Sequence, residues 1–143
     1  MQRQKYQSLR DETLNLELAR IALLEDGWYD GYGTKYAGAD LDIAGDFIDA
    51  MFEADPDLES PWLVPDPDGD LRAEWQTPYK EGVLIMEFKN GSVWGHAVTE
   101  IPMGVMEATF PIATGAADAA TWLRQALRTE PRGDTVAYKE EGA

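Results

Sequence analysis

Cysteine is absent from the 143-residue sequence, and histidine occurs once, at His96. Without cysteine the chain has no disulfide bond, no thiolate metal site and no cysteine nucleophile. A lone histidine leaves a histidine-based metal site or a catalytic triad short of partners. No apolar run reaches the ~18 residues of a membrane-spanning helix, and the first residues lack the apolar centre of a signal peptide. These absences favour a cytoplasmic protein.

Basic residues are also scarce: there are 12 of them against 27 acidic residues, for a formal net charge of −15. Binding to nucleic acid through phosphates needs a basic stripe, and this sequence has none. Residues 30–74 hold 13 acidic residues and only two basic ones, Lys35 and Arg72. This segment is either a solvated surface that keeps the protein soluble or a negative surface that meets a basic partner. Because crowded like charges destabilise a fold, the second interpretation is retained.

Apolar residues, by contrast, are abundant: 44% of the chain is hydrophobic. This length and composition predict a single domain over residues 1–128. The remaining residues, 129–143, contain few apolar side chains and are predicted to form a flexible C-terminal tail.

Apolar side chains at helical spacing predict three helices, over residues 6–25, 40–54 and 116–128. Asp40 is the predicted N-cap of the second helix. That helix has an acidic face opposite its apolar one, and three of the four acidic residues lie three and four positions apart, where they repel one another. The acidic face consists of Asp42, Asp46, Asp49 and Glu53.

The segment between the second and third predicted helices has β patterns. Residues 71–75 alternate between apolar and polar side chains, and Asn90-Gly91 between two apolar runs predicts a hairpin with a type I′ turn. Because the strands are grouped, the sequence predicts an α+β fold, with the three helices on one face of a three- to four-stranded antiparallel sheet. The other face remains open, and Trp75 and Trp94 are its predicted contacts in a self-associating protein.

No pattern in the sequence supplies catalytic chemistry. The Asp-rich stretch 66–70 resembles a calcium loop, but its glycine comes two positions early and Thr77 stands where an EF-hand has its glutamate. A turn is therefore predicted there. Glu87 lies in an apolar run and is predicted to point outward, and His96 is predicted to be a half-exposed strand residue. No phosphate-binding glycine loop occurs, so we predict no enzyme, no cofactor and no metal.

The aromatic stretch GWYDGYG, residues 27–33, follows the first predicted helix. Placing Gly27 in the left-handed position after that helix makes Trp28 a hydrophobic staple on Leu23. Asp30-Gly31 then predicts a turn. The remaining tyrosines of this region either cover the edge of the core or contact a partner; they are Tyr29, Tyr32 and Tyr36.

Three motifs occur together in this chain. They are a loop that contains tryptophan and D-G-Y-G, a proline-containing turn with D-G, and a strand that ends in E-W. The matching residues are Trp28, 30–33, Pro65, 68–69 and 74–75. This combination resembles a family of small bacterial and phage-associated proteins of unassigned function, over roughly residues 14–90. Tyr29 is an extra residue relative to that pattern. The resemblance implies that the loop and the Glu74-Trp75 strand belong to one module, and it implies no activity.

The sequence therefore favours a non-enzymatic acidic binding protein. We predict that it masks or inhibits a basic, nucleic-acid-handling protein, as an antitoxin, an immunity protein or a phage anti-defence inhibitor such as an anti-CRISPR does. Neither nucleic acid itself nor a membrane is a predicted partner. A second copy of the chain, in a homodimer, is a predicted partner. The predicted contact residues are Tyr29, Asp30, Tyr32, Tyr36, Asp42, Asp46, Asp49, Glu53, Asp66, Asp68 and Asp70. Two alternatives are a homo-oligomeric structural protein and a carboxylate-based metal-dependent enzyme.

Overall fold

The computed structural model describes residues 12–78, 80–100 and 103–127. In this part the chain forms three helices and one five-stranded sheet. The predicted α+β class is confirmed, but the predicted count of three to four strands is wrong. Residues 6–11 of the first predicted helix, residue 128 of the third and the predicted tail lie outside the described residues. The elements are α1 (Glu12–Ala22), α2 (Gly38–Ala54), β1 (Trp62–Pro65), β2 (Leu71–Gln76), β3 (Lys80–Glu87), β4 (Ser92–Glu100), β5 (Met103–Pro111) and α3 (Ala116–Leu127).

The sheet is a simple meander in which each strand pairs antiparallel with the next, in the order β1-β2-β3-β4-β5. The strand count was underestimated because the two edge strands are weak in sequence. β1 has only four residues, and β5 exposes Val105 and Met106. Their strand conformation depends on hydrogen bonds from a single neighbour, which local sequence does not record.

Side chains on one face of the sheet are buried under the helices. α3 lies closest, because the missing side chains of Gly82 and Gly95 let its backbone approach β3 and β4. A Cβ atom at Gly95 would lie 2.9 Å from the ring of Trp122. The core between sheet and helices is mostly apolar, and Lys80 is a buried charged residue. The fully buried large side chains include Leu14, Leu18, Ile21, Leu41, Ile48, Met51, Leu71, Leu84, Met86, Val93 and Leu123. No helix in the described part is long and apolar enough to cross a membrane.

The second predicted helix is confirmed in position, and its predicted apolar face is the buried one. The prediction that Asp40 caps it is wrong, because the helix begins at Gly38 and its N-cap is Ala37, which makes no side-chain hydrogen bond. Asp40 lies in the first turn instead, where a negative charge interacts favourably with the helix dipole.

The hairpin between β3 and β4 is confirmed, but its predicted turn type is wrong. The last paired residues are Glu87 and Ser92, so the loop has four residues rather than two. Gly91 has a positive φ of 67°, whereas Asn90 does not, and a type I′ turn requires both. The N–H groups of Asn90 and Gly91 both donate to the carbonyl of Glu87, which closes a wider loop.

Candidate partner-binding surface

The aromatic stretch folds into a small hairpin of its own. Tyr29 and Tyr32 exchange backbone hydrogen bonds of 2.7 and 2.8 Å. Between them Asp30 and Gly31 have φ angles of 53° and 91°, which is the signature of a type I′ turn. The predicted turn at Asp30-Gly31 is therefore confirmed. We call residues 29–32 the tyrosine hairpin.

The prediction that Gly27 ends the first helix is wrong. α1 already ends at Ala22, and the side chain of Leu23, the predicted partner of Trp28, is 77% exposed. Trp28 instead packs partly on the core, and its Nε1 donates a 3.0 Å hydrogen bond to the carbonyl of Thr34. Gly27 closes the loop, since its N–H donates to the carbonyl of Gly33 at 2.9 Å.

The tyrosine hairpin presents its two aromatic side chains to solvent. Tyr29 is 57% exposed and Tyr32 is 75% exposed. Because residues paired across two antiparallel strands project to the same side, both rings lie on one side of the hairpin. Its type I′ backbone holds them there, and the ring of Trp28 supports Tyr29 edge-on at 5.7 Å. These two tyrosines remain candidates for contact with a partner.

Tyr36, by contrast, belongs to the core. It is only 4% exposed, so the prediction that it contacts a partner is corrected. Its hydroxyl proton is shared between the carbonyl oxygens of Asp66, at 3.0 Å, and Asp70, and its oxygen accepts the Asp66 N–H at 2.8 Å. Burial raises the pKa of Tyr36 to about 12. Tyr36 therefore fastens the connection between β1 and β2 to the segment that enters α2.

That connection, residues 66–70, is named the aspartate turn. The N–H of Gly69 donates to the carbonyl of Asp66 at 2.9 Å, and Oδ1 of Asp66 accepts the N–H of Asp68 at 2.9 Å. The side chain of Asp66 thus copies a backbone turn, and Gly69 takes a φ of 98°. The predicted turn is confirmed, and its three carboxylates are held within five residues.

The crowding of charge at the aspartate turn affects stability. Burial raises the pKa of the Asp70 carboxyl above its usual value, and the negative charges of Glu87, Asp66 and Asp68 raise it further. The positive charge of Lys89 lowers the pKa of Asp70. A carboxyl whose pKa is higher in the folded state favours folding only while it is protonated. Above its unfolded-state pKa, and so at neutral pH, ionised Asp70 destabilises the fold.

The acidic face of α2 extends along the helix from Asp42 to Glu53. Asp46 and Glu53 are exposed, whereas Asp42 and Asp49 are half-buried. At 1.5 Å per residue, the Cα atoms of Asp42 and Glu53 lie roughly 16 Å apart along the helix. Because Tyr36 is two residues before α2 and bonds to the aspartate turn, the structure joins the turn to the segment that enters α2.

A bidentate ion pair between Arg124 and Asp55 is a feature that sequence patterns did not reveal. The Nε and Nη2 atoms of Arg124 donate to the two carboxylate oxygens of Asp55, so that α3 is tied to the end of α2. The side-chain hydrogen bond to Asp55 raises the pKa of the Arg124 guanidinium. The partners are 69 residues apart, and no local spacing indicates their contact.

A cavity of about 280 Å³ opens beside this ion pair, slightly smaller than the usual range for small-molecule sites. Among the described residues, no group of three or more histidine, cysteine, aspartate or glutamate side chains has the arrangement to hold a metal ion. The cavity is lined by Asp57, Leu58, Glu59, Trp75, Gln76, Thr77, Arg124 and Leu127.

Trp75 and Trp94 lie on opposite faces of the sheet, so the prediction that they share the open face is wrong for Trp75. Trp75 is buried, and its Nε1 donates to the carbonyl of Glu59 at 2.6 Å. Trp94 is half-exposed and stacks on His96 with ring centroids 5.3 Å apart. The prediction that His96 is a half-exposed strand residue is confirmed.

No family model matches the chain, and no curated protein or solved structure matches it either. The resemblance to a family of small bacterial and phage-associated proteins stays a prediction.

Proposed function

We propose that this protein is a non-enzymatic binding protein that masks a basic surface on a nucleic-acid-handling protein. One observation carries the proposal: Tyr36 and the side chain of Asp66 hold the aspartate turn by hydrogen bonds, although burial and the neighbouring negative charges raise the pKa of Asp70, so that its ionised carboxylate opposes folding. A group of charges that is kept at the expense of stability is typical of a functional surface.

The proposed contact surface combines the exposed tyrosines with these carboxylates. It consists of Tyr29, Asp30, Tyr32, Asp42, Asp46, Asp49, Glu53, Asp66, Asp68 and Asp70. Tyrosine supplies apolar area together with a hydroxyl group, which suits the centre of an interface. Carboxylates pair with arginine and lysine, speed association and make the complex sensitive to salt.

The same surface serves an antitoxin, an immunity protein and a phage anti-defence inhibitor such as an anti-CRISPR. In each case the proposed target has a basic surface that binds phosphates, and this carboxylate-rich protein would compete for it. We therefore propose a competitive mechanism, in which the captured partner loses nucleic-acid binding while this protein itself binds none.

The first experiment captures partners from the native host on the immobilised protein at low and at high salt. The expected result is a basic protein that is retained at low salt and released at high salt. A labelled oligonucleotide that binds this purified partner should then be displaced by the acidic protein. If salt-sensitive partners are acidic, or if oligonucleotide binding is unaffected, the masking proposal fails.

A charge-neutralising variant tests the surface itself. Asp68→Asn combined with Asp70→Asn should weaken binding by roughly tenfold or more, since each lost charge pair contributes about 1 kcal/mol. The same variant should unfold at a higher urea concentration, because it removes like-charge repulsion. Weaker binding together with higher stability separates a binding defect from misfolding.

A matched control neutralises two exposed carboxylates far from this surface in sequence, with Glu12→Gln and Asp118→Asn. The control has the same net charge as the test variant, so its affinity should remain within about twofold of the wild type. An equal loss of affinity in both variants would show that net charge alone attracts the partner. Tyr32→Ala should also weaken binding without unfolding the protein.

A further inference from the structure

The two edges of the sheet differ in how their backbones are covered. At the β1 edge, a carboxylate oxygen of Glu17 on α1 accepts the N–H of Leu63 at 3.0 Å. β1 is also short, with four residues, and it ends in Pro65. A short edge strand, a proline and a covering helix are devices that keep a sheet edge from pairing with another strand.

β5, at the other edge of the sheet, lacks these devices. Its nine residues pair with β4 in unbroken register, without a bulge. It contains no lysine, and its only proline is the last residue, Pro111. The side chains of Val105 and Met106 are 61% and 36% exposed. A long, regular and partly apolar edge of this kind is a template for a further strand.

The backbone groups that β5 turns outward follow from the hydrogen-bond pattern. The N–H of Ile112 donates to the carbonyl of Gly91 at 2.9 Å, one pair beyond the end of the β4–β5 register. Bonded and non-bonded pairs alternate along an antiparallel ladder, so every second residue, counted back from Ile112, bonds to β4. The residues between them are Val105, Glu107 and Thr109. Their N–H and carbonyl groups point away from β4 and are available to another strand.

The sheet face beside this edge is negative. We call the side of the sheet opposite the helices the open face. Arg72 donates to Glu74 at 2.6 Å, which leaves the other glutamates of the open face without an arginine or lysine partner among the described residues. On β5 itself, the side chain of Glu107 is 56% exposed. The charged residues of the open face are Arg72, Glu74, Glu81, Glu87 and Glu107.

A second copy of the chain fits the β5 edge poorly. Glu107 is the central residue of β5, so a full antiparallel pairing of two copies of β5 sets one Glu107 opposite the other. Like charges directly opposite each other destabilise a strand pair, and each copy has a net charge of −15. A strand with lysine or arginine opposite Glu107 gains an attraction at the same position. Charge complementarity therefore favours a basic strand.

We propose that β5 binds an extended segment of a basic protein as a sixth strand, in which lysine or arginine alternates with apolar residues. A basic residue lies opposite Glu107, and its N–H and carbonyl bond to those of Glu107. The apolar side chains between the basic ones lie beside Met106 and Ala108, on the helix side of the sheet. Backbone hydrogen bonds supply affinity, and the alternating side chains supply specificity.

This site goes beyond the masking proposal, because it does not include the tyrosine hairpin, the aspartate turn or the acidic face of α2. The two proposals therefore concern different surfaces and are tested by different variants.

The experiment titrates the isotope-labelled protein with a short synthetic peptide in which lysine alternates with valine, and follows amide signals by NMR. In the free protein, the amide hydrogens of Val105, Glu107 and Thr109 should exchange with solvent faster than those of Met106 and Ala108, which bond to β4. Bound peptide should slow the exchange of the first three by roughly tenfold or more. Chemical-shift changes should be largest along β5.

Two methylated peptides separate strand pairing from attraction by charge alone. In the proposed register the backbone N–H groups of the lysines face β5, whereas those of the valines face away. Methylation of the lysine backbone nitrogens should weaken binding by roughly tenfold or more, because several hydrogen bonds are lost. Methylation of the valine backbone nitrogens should leave the affinity within about twofold. All three peptides carry the same charge.

Variants of the protein test the same contacts from the other side. Thr109→Pro removes an outward N–H and no bond to β4, and proline is tolerated on a strand edge. It should weaken peptide binding by roughly fivefold or more, whereas Thr109→Val keeps the N–H and should stay within about twofold. Circular dichroism verifies folding. If Thr109→Pro does not fold, the methylated peptides decide the question on the wild-type protein.

The charge contact has a matched pair of variants. Glu107→Gln should weaken binding of the lysine peptide by roughly two- to fivefold, as expected for an exposed ion pair. Glu12→Gln removes the same charge at an exposed residue of α1, the helix that lies at the β1 edge, and should leave the affinity nearly unchanged.

Three results would overturn the proposal. The first is no binding of the lysine–valine peptide at millimolar concentration. The second is equal binding of the peptide methylated at lysine, which would reduce the association to charge. The third is protection of the outward β5 amides that grows with protein concentration in the absence of peptide, which would show that the edge pairs with a second copy. None of these results affects partner capture through the acidic surface.

Discussion

Replacing Tyr36 by phenylalanine tests how the aspartate turn is held, because the change removes one oxygen atom and leaves the aromatic ring in the core. The lost hydroxyl serves the carbonyl oxygens of Asp66 and Asp70 as a donor and the Asp66 N–H as an acceptor. That N–H keeps a second bond, to the carbonyl of Asp70 at 3.1 Å. Each carbonyl group likewise keeps one donor, the Gly69 N–H for Asp66 and the Asp66 N–H for Asp70.

The expected magnitude follows from these contacts. The net contribution of a hydrogen bond to stability is about 0.5–1.5 kcal/mol, the hydroxyl forms more than one of them, and no cavity forms because the ring remains. We expect Tyr36→Phe to lower the free energy of unfolding at neutral pH by ~1–2 kcal/mol, a noticeable share of the ~5–15 kcal/mol that stabilises a typical domain. Tyr32→Phe, at an exposed position, should change it by less than ~0.5 kcal/mol.

The pH dependence gives a sharper test. The pKa of Tyr36 rises from 10.0 to about 12 on folding, so its contribution to stability is fully present below pH 10 and declines as pH rises through 12. This difference in pKa corresponds to at most ~2.7 kcal/mol in the free energy of unfolding, and solvent screening at the part-buried hydroxyl reduces that free energy. About half of that limit, ~1.4 kcal/mol, is lost by roughly pH 11.

The assay is urea unfolding followed by tryptophan fluorescence, for both proteins, from neutral pH to about pH 11. Other groups titrate in this range in both proteins, so the difference between wild type and Tyr36→Phe isolates the hydroxyl. That difference should shrink by up to ~1.4 kcal/mol as pH rises. Equal stability of the two proteins at neutral pH, or a difference that stays constant with pH, would refute the role of this hydroxyl.

Two further substitutions test the loop and the helix pair. Gly33→Ala should lower the free energy of unfolding by ~2–4 kcal/mol, because φ is +99° and the new Cβ would lie 2.8 Å from Nε1 of Trp28. Gly31→Ala, with no atom within 4 Å of the new Cβ, should lower it by only about 1 kcal/mol. Equal losses of stability in thermal unfolding would contradict the close contact at Gly33. Arg124→Gln should cost ~1 kcal/mol, more than a fully exposed pair, because only 16% of the Asp55 side chain is exposed. A double-mutant cycle with Asp55→Asn measures the coupling, and a value near zero would show that the ion pair does not stabilise the fold.

Local patterns were sufficient where a property depends on neighbours in sequence. The buried face of α2 follows from apolar residues at helical spacing, and the alternation along β2 follows from period two. Local patterns failed where two turn sequences have the same conformational preference but different tertiary surroundings. Asn90-Gly91 and Asp30-Gly31 both favour a type I′ turn, yet only Asp30-Gly31 forms one. The register of β3 with β4 leaves four residues at the other site, and a wider loop satisfies them.

The sequence by itself determined the acidic character of this protein, the α+β class and most of the helix and strand positions, because charge, periodicity and turn preference are carried by adjacent residues. Only the tertiary structure decided which aromatic side chains face solvent. Tyr29, Tyr32 and Tyr36 lie in one short segment, yet Tyr36 alone is buried, since the turn between β1 and β2 folds onto its hydroxyl. Trp75 and Trp94 likewise separate to opposite faces of the sheet, because strand register places distant residues side by side.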